Sequence, residues 1–359
     1  MNPVQIVNQV FKKKRTVSNV YDKQRKAVLF AFFVLCVLPF IFSCLVGEIN
    51  RNMMVQSNTL YFPETSTCTV VFETSYGELD MNLEAALACM LPAIVPPDYE
   101  EEAIKAQAII LRTELLRLYE EQGENGTYKI YLEKTHYEKK YFTFLEQKLL
   151  YGESYSSNLA FYRHAALETA GMYMREADNA DLTEAGKVAG AGWFLVSTGS
   201  TREGILCEKD YRSENYYTEK TITQREFQKE LGNLYHENQA VQAEEKEQVQ
   251  NKEAEEEKEV AEIHFQGAAE TINFSVRFGD GTYGSLEVRQ EIFCEVFGLV
   301  SPFVEEIAET NTQVTITVKG VGHGSGMSVF GANELAKEGK NYSEILNYFF
   351  TNIAIDKFE

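Results

Sequence analysis

The sequence predicts an α+β protein in which a single N-terminal transmembrane helix precedes a mixed extracytoplasmic domain of short strands and helices. Three observations predict it. Residues 27–47 form an apolar run without a charged side chain. Residues 68–78 alternate apolar and polar side chains, which is typical of a β-strand. Residues 98–121 place apolar side chains at helical spacing, which indicates an amphipathic helix.

The apolar run is long enough for a membrane span. At about 1.5 Å per residue, a helix over residues 27–47 would cross a hydrocarbon layer of about 30 Å. Lys and Arg dominate residues 12–26, and the positive-inside rule then puts the N-terminal tail in the cytoplasm and the remainder outside. A cleaved signal peptide is the alternative, but the run lacks a clean small-residue cleavage site at its end.

Composition divides the chain into segments. Residues 1–26 are predicted to be a cytoplasmic basic tail, 27–47 the anchor, 48–66 a polar stalk and 67–359 one large domain. Within that domain, residues 237–262 hold ten Glu and three Lys among Gln and Ala. A segment of this composition cannot form a core, so we interpret it as a solvated helical or flexible insertion.

The domain itself shows helical and strand patterns in mixed order. Helices are predicted over 83–90, 98–121, 161–174, 223–235, 332–337 and 342–350, and further strands over 265–276 and 314–319. Ile104, Ala108, Leu111, Leu115 and Leu118 form the apolar stripe of the longest helix. The mixture predicts an α+β arrangement, and a repeated βαβ array is excluded by the order of the elements.

The net charge and the spacing of the cysteines and histidines exclude several classes of function. The formal net charge of −20 disfavours a nucleic-acid partner, because phosphate contacts need a surplus of Lys and Arg. The six cysteines contain no C-x-x-C pair, and the five histidines show no metal-binding spacing. We therefore predict no metal site and no cofactor. Free buried thiols are favoured for the cysteines, although one or two disulfides remain compatible with the sequence.

Two features of the sequence, the start of the long helix and a glycine cluster, contain residues that could take part in catalysis or binding. Glu102 lies in the first turn of the long helix and shares a face with Lys105 and Arg112, along which a polar groove could run. Alternatively, it only complements the helix dipole. Residues 320–328 hold four glycines, which let a backbone approach either a ligand or another chain segment closely.

Three stretches together resemble the stage II sporulation protein D (SpoIID) family, including its amidase-enhancer relatives. Residues 102–113 resemble the family's E-A-L-K-A-Q-A-x-x-x-R-T, and residues 197–202 resemble its S-x-G-x-T-[RE] turn. Residues 320–332 resemble G-x-G-H-G-x-G-M-S-Q-x-G-A, and residues 339–350 its continuation A-x-x-G-x-x-Y-x-E-I-L-x-Y-Y. The first and third motifs are specific, and the second is weak alone.

The resemblance implies an enzyme that acts on the cell wall. The implied activity is lytic transglycosylation of denuded peptidoglycan glycan strands during engulfment of the forespore, at the cell membrane and in the intermembrane space. The implied partners are the stage II sporulation protein P amidase/endopeptidase and stage II sporulation protein M. One carboxyl group suffices for this chemistry, because the C6 hydroxyl of MurNAc attacks its own C1 and no water needs activation.

The resemblance also implies the residues of a glycan-binding groove. It assigns the catalytic acid to Glu102. Residues implied to bind or surround the substrate are Lys105, Gln107, Arg112, Thr113, Ser197, Thr201, Arg202, His323 and Ser328.

The chain departs from the family pattern at three positions. A family His falls on Phe194, the Gln of G-M-S-Q on Val329, and an upstream Glu on Ile94. Some members carry a Cys/His zinc site between the first two motifs, but residues 114–192 contain no Cys, so no such zinc is predicted. These departures keep a second hypothesis open: a glycan-binding scaffold or amidase activator that does not itself cleave.

Overall fold

The structure is a computed structural model of the 359-residue chain. The residues it describes are 25–26, 32–38, 41–42, 68–74, 77–122, 129–135, 140–177, 188–246, 260–267, 271–278 and 281–357. The predicted tail, apart from residues 25–26, and the predicted stalk lie outside the described residues.

The predicted N-terminal transmembrane helix is wrong. Within residues 27–47 the structure describes residues 32–38 and 41–42, and the assigned element there is a five-residue π-helical stretch, Phe33–Val37. In the described part of the chain, no helix has both the length and the apolar content that a membrane crossing requires. A span needs about 20 consecutive helical residues. The prediction rested on the number of residues in the run and on their apolar content.

The described chain contains eight α-helices. They are α1 (Leu83–Met90), α2 (Glu101–Gln122), α3 (Phe144–Tyr151), α4 (Tyr155–Glu168), α5 (Gln224–Lys246), α6 (Gln290–Phe297), α7 (Val329–Lys337) and α8 (Tyr342–Phe349). Capping side chains fix where several of these helices begin. Asn82 accepts a hydrogen bond from the Glu84 N–H at the start of α1, and Asn341 and Glu344 form a reciprocal capping box on α8.

Thirteen strands in the described residues form five small sheets. The strands are β1 (Thr69–Thr74), β2 (Gly77–Asn82), β3 (Lys129–Tyr131), β4 (Met172–Glu176), β5 (Trp193–Phe194), β6 (Tyr217–Thr223), β7 (Val260–Gly267), β8 (Thr271–Phe278), β9 (Tyr283–Arg289), β10 (Val304–Glu309), β11 (Gln313–Lys319), β12 (Met327–Ser328) and β13 (Ile353–Lys357). Three sheets have three strands, in the orders β2-β1-β3, β10-β11-β6 and β7-β8-β9. The others pair β12 with β5 in parallel and β13 with β4 antiparallel.

Helix α2 is the centre of the fold. One side packs its stripe of Ile104, Ala108, Leu111 and Leu115 against α1, α4 and the β1 sheet. Another side, with Ala103, Ala106, Ile109 and Ile110, packs against α7, α8 and β4. The predicted apolar stripe is therefore confirmed, but the helix is covered on more sides than a single stripe requires.

A second hydrophobic core lies between α5, α6 and the two antiparallel three-stranded sheets. Phe227, Phe274, Phe293 and Phe297 are buried there, with neighbouring rings 4.5–6.4 Å apart between centroids. Aromatic pairs at such spacings contribute beyond their buried area. This core contains none of the predicted site residues.

Several predicted element boundaries are wrong, and in three cases the chain reverses direction within a segment that we predicted as a single element. Residues 68–78 and 265–276, each predicted as one strand, are parts of the hairpins β1–β2 and β7–β8. Residues 161–174, predicted as one helix, hold the end of α4 and, after a turn at Gly171, the start of β4. The helix predicted over 223–235 continues to Lys246, into the acidic segment.

Candidate active site

Glu102 lies at the exposed end of the central helix. Helix α2 begins at Glu101, so Glu102 stands in its first turn, where backbone N–H groups and the helix dipole favour negative charge. Its side chain is 33% exposed, whereas Ala106 and Ile109, further along the same face, are buried. Only the first turn of this face reaches solvent.

Two donors hold the Glu102 carboxylate. The backbone N–H of Tyr342, at the start of α8, donates to Oε2 over 2.8 Å. The Lys105 ammonium donates to Oε1 over 3.1 Å. The two oxygens are thus held from different elements, which fixes the direction of the carboxyl group while leaving part of it open to solvent.

Lys105 also contacts a second carboxylate. Its Nζ lies 2.9 Å from Oε1 of Glu101, and His164 Nδ1 lies 2.9 Å from the same oxygen. The hydrogen bond from Lys105 and the charges of Lys105 and His164 lower the pKa of Glu101. The Glu101 carboxylate is therefore already bound by Lys105 and His164.

The second and third motifs meet at a buried carboxyl group. Asp210 Oδ2 accepts a hydrogen bond from the Ser197 N–H over 2.7 Å and another from the Ser328 hydroxyl over 2.5 Å. The Ser328 hydroxyl in turn accepts from the Gly331 N–H and caps α7. Ser197 and Ser328 are buried, so the bonds they make join one motif to the other.

Arg202 and His323 form a second link between the same motifs. Arg202 Nε donates to the His323 carbonyl over 2.8 Å, and Nη2 donates to Glu291 over 2.6 Å. Its guanidinium lies 5.5 Å from the Phe303 ring centroid. Thr201 is buried and closes the turn through its backbone and hydroxyl contacts with Ile205.

The His323 ring is also held within the protein. Its Nδ1 accepts from the Ser325 N–H over 3.1 Å, and the ring makes a further hydrogen bond with the Trp193 backbone. Partial burial lowers the pKa of His323, and the positive charges of Arg202 and Lys140 lower it further. The imidazole is therefore neutral at neutral pH.

Replacing Arg202 with Gln is expected to raise the pKa of His323, because one of the charges that disfavour the imidazolium is removed. NMR titration of the His323 ring checks this. Lys319→Gln, which removes a cation paired with Glu305, is the control and should leave the midpoint unchanged. An unchanged midpoint in Arg202→Gln would contradict the assignment.

Gln107, Arg112 and Thr113 of the first motif are buried. Arg112 donates to both carboxylate oxygens of Glu84, over 3.0 and 2.5 Å, and to the carbonyls of Met172 and Ala166. The Thr113 hydroxyl accepts from the Met174 N–H, tying α2 to β4. Among the residues described, the Gln107 amide has no hydrogen-bond partner.

The predicted site residues thus fall into three groups. Glu102 and Lys105 share the open end of α2; Ser197, Thr201, Arg202, His323 and Ser328 form the linked pair of turns; and Gln107, Arg112 and Thr113 lie inside. The groups are connected through α7, where Asn333 Oδ1 accepts from the Glu100 N–H.

Sequence reasoning did not find Asp210, Glu84 or the Tyr342 N–H contact. Asp210 lies 118 positions from Ser328 and 13 from Ser197, so no local pattern marks it. An acidic residue among the apolar residues of α1 was a signal for Glu84, because a buried carboxylate requires a cationic partner.

The side chains that could ligate a metal ion are dispersed. Over the ranges that the structure describes, no three His, Cys, Asp or Glu side chains converge as metal ligands would. Cys68, Cys89, Cys207 and Cys294 are free thiols, and burial raises the pKa of Cys68 to about 11.

Comparison with known proteins agrees with the motifs. Residues 78–175, which contain α1, α2 and most of β4, match the SpoIID family of stage II sporulation proteins. Over 309 residues the chain is 25% identical to stage II sporulation protein D of Bacillus amyloliquefaciens, covering 82% of this chain and 80% of that protein. Over 289 residues it is 27% identical to stage II sporulation protein D of Bacillus subtilis (strain 168), covering 77% and 74%.

The part of the chain that holds the first-turn glutamate Glu102 is therefore similar to the SpoIID family of stage II sporulation proteins. The predicted resemblance to stage II sporulation protein D is confirmed.

Proposed function

We propose that this protein cleaves the glycan strands of peptidoglycan as a lytic transglycosylase, with Glu102 as its catalytic residue. The observation that carries the proposal is the Glu102 carboxyl group itself: it is one-third exposed and held by the Tyr342 N–H and by Lys105. A group fixed in direction and open to solvent can meet a polymer that is too large to enter a closed pocket.

In the proposed reaction, Glu102 donates one proton and later accepts another. Glu102 donates a proton to the oxygen that bridges MurNAc and GlcNAc, and the bond from MurNAc C1 to that oxygen breaks. The C6 hydroxyl of the same MurNAc then forms a bond to C1 and returns its proton to Glu102. The products are a GlcNAc with a free hydroxyl and a 1,6-anhydro-MurNAc end, and no water is consumed.

The surroundings of Glu102 support a mechanism with one carboxylate. Hydrolysis by two carboxylates needs a second group free to activate water or to attack the sugar. Glu101 is adjacent, but its Oε1 lies 2.9 Å from both Lys105 and His164. Lys105 would also hold a substrate hydroxyl or the carboxylate that forms when Glu102 gives up its proton.

Glu102→Gln is expected to lower the rate of glycan cleavage by about 100-fold or more, because general acid–base catalysis contributes about 10²–10⁴. The full-length chain is incubated with denuded glycan strands, and new chain ends are counted over time. Glu101→Gln is the matched control on the same helical turn and should retain most of the rate. Equal loss in both variants, or cleavage that survives Glu102→Gln, would contradict the proposal.

A second candidate function is a glycan-binding scaffold that activates an amidase. One observation favours it: Ser197, Ser328 and His323 all hydrogen-bond within the protein and not at a shared site with Glu102. The scaffold predicts glycan binding that is unchanged in Glu102→Gln and no cleavage by the parent chain.

The partners remain proposals that rest on the family resemblance. We propose association with the stage II sporulation protein P amidase/endopeptidase, which would supply denuded strands, and with stage II sporulation protein M. Co-purification of each with the full-length chain tests this, and absence of either from the complex would exclude that partner.

A further inference from the structure

His164, in α4, contacts the first turn of α2 beside Glu102. Its Nδ1 lies 2.9 Å from Oε1 of Glu101, although the two residues are 63 positions apart in the chain. An ionised carboxylate only accepts hydrogen bonds, so Nδ1 carries a hydrogen and donates it. The other ring nitrogen, Nε2, lies 4.0 Å from Oε1 of Glu168, which is beyond hydrogen-bonding distance. The contact with Glu101 therefore orients the imidazole.

The ammonium group of Lys105 is shared between two carboxylates. Its Nζ lies 2.9 Å from Oε1 of Glu101 and 3.1 Å from Oε1 of Glu102. The Lys105 side chain is only 12% exposed, which limits where the ammonium group can move. A closer contact with one of the two carboxylates is therefore made at the expense of the contact with the other.

The two contacts of Lys105 change in importance during the proposed reaction. Before the reaction Glu102 carries the proton that it will donate and is neutral, so the ionised Glu101 attracts the ammonium group more strongly. After Glu102 has donated its proton, both carboxylates are negative and compete for one ammonium group. Stabilisation of the Glu102 anion then requires Lys105 to move toward Glu102 and away from Glu101.

His164 gives Glu101 a second donor at this step. Over the described part of the chain, the Glu101 carboxylate is bound by the Lys105 ammonium group and by the His164 imidazole. The imidazole N–H stays on Glu101 when Lys105 moves to Glu102. Without His164, the same movement would leave the negative charge of Glu101 beside the new negative charge of Glu102, and the repulsion would oppose formation of the Glu102 anion.

We infer that His164 is a positioning residue for the proposed reaction: by holding Glu101, it leaves the Lys105 ammonium group available to the Glu102 carboxylate as that carboxylate forms. The inference rests on the proposed function of Glu102. His164 acts through Glu101 and Lys105 and transfers no proton to the sugar. An interaction that is gained only in the transition state raises kcat and leaves KM unchanged.

The test measures kcat and KM of the full-length chain on denuded glycan strands. His164→Leu is expected to lower kcat about threefold to fivefold, the range that a partly exposed ion pair supports, with KM unchanged. His164→Gln keeps an N–H donor for Glu101 and should recover most of the loss. Glu168→Gln, beside the other nitrogen of the ring, is the matched control and should keep the kcat of the parent chain. Because the His164 side chain is 57% exposed, its substitution should leave the fold intact, which urea unfolding checks.

A double variant isolates the route through Glu101. Glu101→Gln removes the charge that competes for Lys105, so adding His164→Leu to it should lower kcat no further. NMR titration checks the contact itself: Lys105 and His164 lower the pKa of Glu101, so His164→Leu should raise it. An unchanged kcat in His164→Leu, or the same fall in the Glu101→Gln background, would overturn the inference and leave the proposed function standing. A parent chain that does not cleave would contradict the proposed function, and the inference with it.

Discussion

Replacing Arg112 with Leu is expected to lower the free energy of unfolding by about 3–5 kcal/mol. Both Arg112 and Glu84 are fully buried, and two hydrogen bonds of 3.0 and 2.5 Å join them. The variant leaves the Glu84 carboxylate inside the core without its counter-ion, and it also leaves the Met172 and Ala166 carbonyls without the guanidinium. Equilibrium unfolding in urea measures the loss.

Two further variants separate the buried charge from lost packing. Arg117→Leu removes a partly exposed arginine from the same helix; because one of its partners, Glu121, is exposed although the other, Glu114, is buried, it should cost less than Arg112→Leu. Combining Arg112→Leu with Glu84→Leu removes both charges and should recover a large part of the loss. A double variant that is no more stable than Arg112→Leu would show that packing, not charge, sets the cost.

Replacing Gly326 with Ala is expected to destabilise the protein by about 3 kcal/mol. Gly326 has a φ of +85°, in the left-handed region, and its Cβ would overlap the backbone carbonyl of Gly192. Backbone strain at such an angle costs about 1–3 kcal/mol, and overpacking against a rigid backbone adds about as much. The same urea titration, on Gly326→Ala, measures the sum.

Other glycines provide matched controls for Gly326. Gly199 has a φ of +116°, and no atom lies within 4 Å of the position that a Cβ would take, so Gly199→Ala reports backbone strain alone. Gly190 has neither a positive φ nor a close neighbour, and its substitution should be nearly neutral. If Gly326→Ala cost no more than Gly199→Ala, the close approach of Gly326 to Gly192 would not be required for stability.

Local patterns in the sequence were enough to predict the elements around Glu102. Helical spacing of Ile104, Ala108, Leu111 and Leu115 predicted α2 and the face that packs on the first core. Glu102 at the first turn followed directly from that helix. The chemical environment of the carboxylate did not, because the Tyr342 N–H comes from 240 residues further along the chain.

The same helical wheel placed Glu102 on one face with Lys105 and Arg112, but it did not predict what surrounds that face. A polar groove along this face was one of two alternatives; in the structure α8 and β4 cover the face after the first turn, and Arg112 and Thr113 make hydrogen bonds inside the protein. Whether a polar residue faces solvent or a buried partner depends on elements distant in sequence, which periodicity does not report.

The sequence also revealed the glycine cluster at residues 320–328 without showing what the cluster contacts. Its composition left a ligand and a close backbone as alternatives, and in the structure Gly320, Gly322 and Gly326 each abut the segment 192–197. The cluster therefore packs the third motif onto the second. Asp210, which fastens the two together, has no local signature because its partners come from separate turns.

The most direct test of the central claim is the mass of the fragments that the full-length chain releases from denuded glycan strands. A lytic transglycosylase yields fragments that end in 1,6-anhydro-MurNAc, each lighter by one water than the corresponding hydrolysis product, and Glu102→Gln yields none. Fragments with reducing MurNAc ends, or no fragments from a folded protein, would contradict the assignment of one-carboxylate catalysis to Glu102.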